Sequence, residues 1–257
     1  YSILQTFFRT QNLLHFMKYI LLLLFSMASV VSFSQGKKFA YKLGEAYELP
    51  RKTDDLAFIG NNKDGIMNLS LKDKELIILK FNPKNLAQTS EQTINLPEAT
   101  KNFNSEDVIS IGDNYYWLHS DRDKDDNELL YYDKIDVANG KLAGSNLLIK
   151  TTKIDGRTPK TGFLTKMKTV DKYKFDFDAI HKYLLITYRL IPEKENDKKN
   201  YDKLGFAVFD ANMNKVWANE YSMPYTEAVM DNADFCIDHN ANAYLLARIF
   251  NSDDRHI

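Results

Sequence analysis

The feature that most constrains this 257-residue chain is a run of short apolar segments that recurs four times in one order. In the first copy, Leu56–Gly60 and Ile66–Leu71 are joined by the turn Asn61–Gly65. The charged hairpin Lys72–Lys74 leads to Leu76–Phe81, and the turn Asn82–Asn85 leads on to Thr93–Pro97. The second copy runs Val108–Gly112, Tyr115–His119, Leu129–Ile135 and Leu147–Ile149, with an acidic hairpin at Asp121–Glu128. The third gives Phe175–Phe177, Tyr183–Tyr188, Phe206–Phe209 and Val216–Ala218 onward to Pro224, and the fourth begins at Phe235–Ile237 and Ala243–Phe250. Segments of this length, rich in Ile, Leu, Val, Tyr and Phe and bounded by Asn, Asp and Lys, read as strands, and none keeps a helical period over three turns.

The fold class expected is therefore all-β. The first segment of each copy ends at Ile59, Ile111, Phe177 and Ile237, a period of roughly 50–65 residues with four strands per unit, which is the pattern of β-propeller blades. Continuous apolar runs such as Leu76-Ile77-Ile78-Leu79 fit inner blade strands covered on both faces, whereas a two-sheet sandwich or an irregular β-solenoid predicts cleaner alternation. Residues 35–257 hold about three and a half such units, so the reading is an incomplete propeller, C-terminally truncated. Only 10 glycines and 6 prolines are present, and the turns must be built from Asn, Asp and Lys.

Ahead of the repeats, Met17-Lys18-Tyr19 precedes the apolar run Ile20–Phe25 and a small-residue stretch ending Ser32-Phe33-Ser34. This reads as a secretory signal peptide over residues 17–34, because the run from Tyr19 to Val31 is shorter than the ~20 residues a membrane span needs. Residues 1–16 read as upstream translated sequence outside the fold. The expected location is secreted or periplasmic, with no membrane span after cleavage. The single cysteine, Cys236, allows no internal disulfide and is expected to be a small buried apolar side chain.

The leader and the turns Phe209-Asp210-Ala211-Asn212-Met213-Asn214-Lys215-Val216-Trp217 and Asp238-His239-Asn240-Ala241-Asn242-Ala243-Tyr244-Leu245-Leu246 resemble those of exported bacterial β-propeller proteins of unknown function, whose blades use Asp-x-x-Gly-x turns. Here Asn or Ala replaces Gly at several turns, and the motifs specify a blade without an activity.

Thirty-four basic against 35 acidic side chains give a net charge of −1, so no global field draws in nucleic acid. Within the hairpin 121–128, Asp121, Asp123 and Asp125 alternate as calcium ligands do, but the sixth position is Asp126 where a glycine is needed and the twelfth is Tyr132 where a bidentate acid is needed. Glu227, Asp231, Asp234, Asp238 and His239 form an acidic cluster between the third and fourth units, where a propeller glycosidase would place its two carboxylates. Trp117 and Trp217 are candidates for a sugar-stacking platform, although strand tryptophans pack between blades. His119, Ser120 and Asp121 look like triad members but are consecutive and so diverge in direction. There is no phosphate loop, dinucleotide motif or zinc spacing, and no cofactor is expected.

The function expected is an exported non-catalytic binding or scaffold propeller at the cell envelope, with a protein or glycan partner. The alternative is a propeller glycoside hydrolase or lyase using the inter-blade carboxylates. Mass spectrometry of the native protein is expected to find Gln35 at the N-terminus, and retention of residues 1–16 would contradict both the start-site and the export readings.

Overall fold

The computed structural model describes residues 41, 43–48, 51–96, 102–156, 171–192 and 199–251. The leader and residues 1–16 lie outside them. Among the described residues no helix is long and apolar enough to cross a membrane.

The described chain is all-β, with three four-stranded antiparallel sheets and one two-stranded sheet. The first sheet is the meander β1 (Asp54–Asn61), β2 (Gly65–Lys72), β3 (Glu75–Phe81) and β4 (Gln88–Asn95). The second is β5 (Asn104–Ile111), β6 (Asn114–Arg122), β7 (Glu128–Asp136) and β8 (Lys141–Thr151). The third is β9 (Tyr173–Phe177), β10 (Tyr183–Arg189), β11 (Tyr201–Asp210) and β12 (Lys215–Thr226), and the fourth pairs β13 (Met230–Ile237) with β14 (Ala243–Ile249). Each strand pairs with its sequence neighbour, as blades of a propeller do.

Alternation along the middle strands explains how the sheets stack. Successive side chains of a strand point to opposite faces. In the third sheet, Leu184, Ile186, Ala207 and Phe209 pack on Ile109, Tyr116, Leu118 and Leu130 of the second. The intervening Leu185, Phe206 and Val208 pack on Met230, Ile237 and Leu245 of the fourth. On the other side of the second sheet, Trp117 and Ile135 meet Met67, Leu69, Leu76 and Ile78 of the first. A middle strand buried on both faces needs apolar residues at every position, and so reads as a continuous run.

The outermost strands differ from expectation. β4, the sequence QTSEQTIN, is exposed along most of its length and begins well before Thr93. Such a strand forms because its backbone completes the ladder of β3, and its solvated side chains carry no apolar signal. β12 runs twelve residues through Pro224, which lies near the irregular register between Lys203 and Tyr201 on an outer strand, where a missing N–H is tolerated.

Cys236 is exposed, which corrects the expectation of a buried thiol. Its neighbours Phe235 and Ile237 face the third sheet, so alternation sends Cys236 to the other face, beside its register partner Tyr244.

Turns use L-residues where glycine would be unstrained. Asp73, in the two-residue hairpin loop between β2 and β3, has φ +52°. A left-handed L-residue costs ~1–2 kcal/mol, which glycine avoids at some entropic penalty. Asp73→Gly is expected to raise stability by roughly 0.5–1 kcal/mol in urea unfolding; a lower midpoint would contradict this conformational account.

Candidate functional site

The same turn recurs through the molecule. In Asp210–Asn214 the Asp210 carboxylate accepts the amides of Asn212 and Asn214 at 2.8 and 2.9 Å and the Asn214 side chain at 2.9 Å, while Met213 takes φ +62°. Asp238–Asn242 repeats it, with Asn240 and Asn242 amides at 2.9 Å and Ala241 at φ +65°. Asp123–Asn127 does so again, with Asp125 and Asn127 amides at 2.9 and 3.0 Å and Asp126 at φ +65°. Asp178 holds the amides of Lys182 and Tyr183 at 2.6 and 2.7 Å, with His181 at φ +53°.

These turns explain where several predicted site residues go. Asp123 is a turn clamp whose carboxylate also accepts from Lys150 Nζ at 2.8 Å, Asp121 is buried, and Asp125 is at the exposed tip. Among the described residues no group of three or more His, Cys, Asp or Glu side chains is placed to hold a metal ion. Asp238 is likewise a clamp, with His239 exposed beside it. Glu227 sits at the opposite end of β13, so the two acids are separated by the strand's length, about 23 Å at ~3.3 Å per residue. Between them, Asp231 is exposed, and Asp234 accepts from Lys174 Nζ at 2.7 Å.

His119, Ser120 and Asp121 diverge as alternation requires. His119 lies among Phe103, Trp117 and Tyr131, with Nε2 2.8 Å from Asp133 Oδ2 and 3.3 Å from Ser145 Oγ. Serine and aspartate meet the same ring nitrogen, and the serine hydroxyl donates to Asp133 itself at 2.8 Å, so no relay through two nitrogens is formed. Trp117 is buried between the first and second sheets, and Trp217 lies between the third and fourth, donating to the Ala241 carbonyl at 2.8 Å.

Sequence reasoning missed the polar groups at the start of the third sheet. Lys172 is buried, with Nζ 2.9 Å from Glu128 and 2.8 Å from the Ser120 hydroxyl, which in turn donates to Glu106. Glu106 is the bulged residue of β5, an irregularity that turns its carboxylate into the interface, and Arg122 Nε donates to Glu128 at 2.6 Å. Only the Lys172 partners show that Glu128 belongs inside, because in the sequence it ends a charged hairpin.

Beside this cluster lies a cavity of about 330 Å³ between the third and fourth sheets. β9 begins only at Tyr173, opposite Tyr188, while β10 extends to Arg189. The Tyr188 ring lies against Gly205, where a Cβ would stand 2.1 Å from it. Arg189 spans the far wall, 2.7 Å from Asp202, 2.8 Å from Asp155 and 3.4 Å from Glu227. Asn232 donates to Asp202 at 3.2 Å, and Phe235 lies under Lys174 Nζ at 5.3 Å. Burial opposes the Arg189 charge, but Asp202, then Glu227 and Asp155, hold it firmly ionised.

No protein-family model matches the chain, and no curated protein matches it. Among solved structures, the crystal structure of the WD40 domain of SCAP from fission yeast aligns with 86% of this chain at 10% identity and a TM-score of 0.30. The chain spans about half of that structure, 54% of its length.

The turn carboxylates also set the acid stability. Lys150 and Asn127 hold Asp123, and Asn242 holds Asp238, well below the usual carboxylate range. The Lys174 ammonium lowers Asp234, and Asp126, Asp136 and Asp210 are lowered by their own partners. Asp107 and Asp176, pushed up by burial, act in the opposite sense but are outnumbered. A carboxyl whose folded pKa is depressed contributes stability above its unfolded pKa of ~3.9 and loses it as pH falls toward the folded value. The urea midpoint is expected to hold between about pH 5 and 7 and to fall below about pH 4, less steeply in Asp238→Asn; a midpoint that rises below pH 4 would contradict this.

Proposed function

We propose that this chain is a non-catalytic binding or scaffold propeller exported to the cell envelope, with a protein or glycan as partner. The observation that carries the reading is the state of its acids. A glycosidase needs one carboxyl kept protonated as general acid. Asp234 and Asp238 are instead held low, the first by a lysine and the second by its own turn, and Glu227 faces Arg189. Side chains committed to ion pairs and turns build surfaces. Blades stacked face to face present their loops and inner strands on a rigid support, which suits recognition.

A second reading, a propeller glycoside hydrolase or lyase, draws on one pair. Lys174 Nζ lies 3.6 Å from Asp176 and 2.7 Å from Asp234; burial raises the first carboxyl, and the lysine lowers the second. Environments that push two carboxyls apart are what acid and base roles require. A screen of the full chain on envelope polysaccharides separates the readings. No turnover is expected, and turnover abolished by Asp234→Asn and Glu227→Gln would overturn the non-catalytic one.

A further inference from the structure

The cavity between the third and fourth sheets has a charged lining that is already neutralised. Lys172 is held by Glu128, with Glu106 3.6 Å away, Arg189 by Asp202 and Asp155, and Lys174 by Asp234. An ionic ligand would have to displace one of these partners, so the pocket favours no net charge. What remains unsatisfied is neutral. Tyr173 Oη and Asn232 Oδ1 are buried atoms of lining residues with no hydrogen-bond partner among the described residues. Tyr173 is only 8% exposed, and burial, reinforced by Glu128 and Glu106, pushes its phenol far above the ordinary value and keeps it a neutral donor. Folded proteins seldom leave such atoms unpaired unless something else completes the bond. Tyr173, Tyr188 and Phe235 supply aromatic walls around these two atoms.

We infer that this cavity binds a single neutral sugar residue, whose hydroxyls complete the bonds of Tyr173 and Asn232 while its C–H face lies on an aromatic wall. Sugar hydroxyls both donate and accept, matching a phenol and an amide oxygen together, and about 330 Å³ is near the lower limit of small-ligand sites, which suits one ring. The assignment rests on the binding-module reading and narrows its partner to a glycan presenting a neutral unit.

The test titrates the full chain with methyl α-glucoside, methyl β-galactoside, methyl α-mannoside and N-acetylglucosamine, with glucuronate as the charged control. At least one neutral sugar should saturate at millimolar concentration, and Tyr173→Phe should weaken it about tenfold, the loss of one hydrogen bond. The variant's melting temperature should be unchanged or higher, because it removes an unsatisfied hydroxyl. Failure of every neutral sugar to saturate, saturation by glucuronate alone, or affinity untouched by Tyr173→Phe would each overturn the assignment. So would a lower melting temperature in that variant, which would reveal a partner for the hydroxyl within the protein. If the sugars fail and the polysaccharide screen also shows no turnover, the cavity assignment falls alone and the binding-module reading stands.

Discussion

One aspartate carboxylate, folded back onto the amides of its own turn, governs where each sheet meets the one before it. Asp178, Asp210 and Asp238 hold turns whose carbonyls face the preceding sheet: His181 O accepts from the Gly112 amide, Ala211 O from Asn114 and Tyr116, and Ala241 O from Trp217. Asp136 holds a fourth turn in the same way, and its Ala138 carbonyl accepts from Lys80 of the first sheet. A left-handed L-residue costs about 1–2 kcal/mol, and the side-chain bonds at each clamp offset it. A chain with so few glycines thus makes tight turns with Asp and Asn, and the same turns dock the sheets. Burial of alternating faces supplies the larger energy, whereas the clamped carbonyls fix the lateral position in which that burial occurs.

That division explains what was legible in the sequence. Leu184-Leu185-Ile186 and Leu76-Ile77-Ile78-Leu79 announce strands covered on two sides, because a position facing either neighbour must be apolar. The order of four strands per unit follows from the turns between them, and it holds in each of the three complete sheets. β4 was nearly invisible because an outer strand is held by backbone pairing while its side chains face water. Cys236 was misread because its sheet is covered by a neighbour on one face only, among the described residues, and an apolar neighbourhood in sequence does not say which face a residue takes.

The candidate site was less legible still. Asp234 and Glu227 stand near chemistry the sequence suggested, yet their partners Lys174 and Arg189 lie on different strands, and pairing of that kind depends on the stacking of sheets. Glu128 looked like the end of a solvated hairpin, but Lys172 arrives from the next unit and buries it. Asp121, Asp123 and Asp125 alternate as ligands would, but alternation on a tight turn puts Asp123 onto its own backbone. Spacing gives direction along one strand and says nothing about which side chain approaches from another.

The central claim is that the clamp positions the docking carbonyl, and a double-mutant cycle between Asp210→Ala and Tyr116→Phe tests it most directly. Tyr116 is buried, with its phenol pushed up to about 12 mainly by burial, and its hydroxyl donates to Ala211 O at 2.9 Å, one residue beyond Asp210. If the carboxylate sets that carbonyl, removing it also weakens the tyrosine bond, and unfolding free energies should show a coupling of about 1 kcal/mol, within the ~0.5–3 kcal/mol typical of residues that share a network. Two losses that simply add, to within about 0.3 kcal/mol, would show that the turn and the sheet-to-sheet bond form independently and would contradict the account.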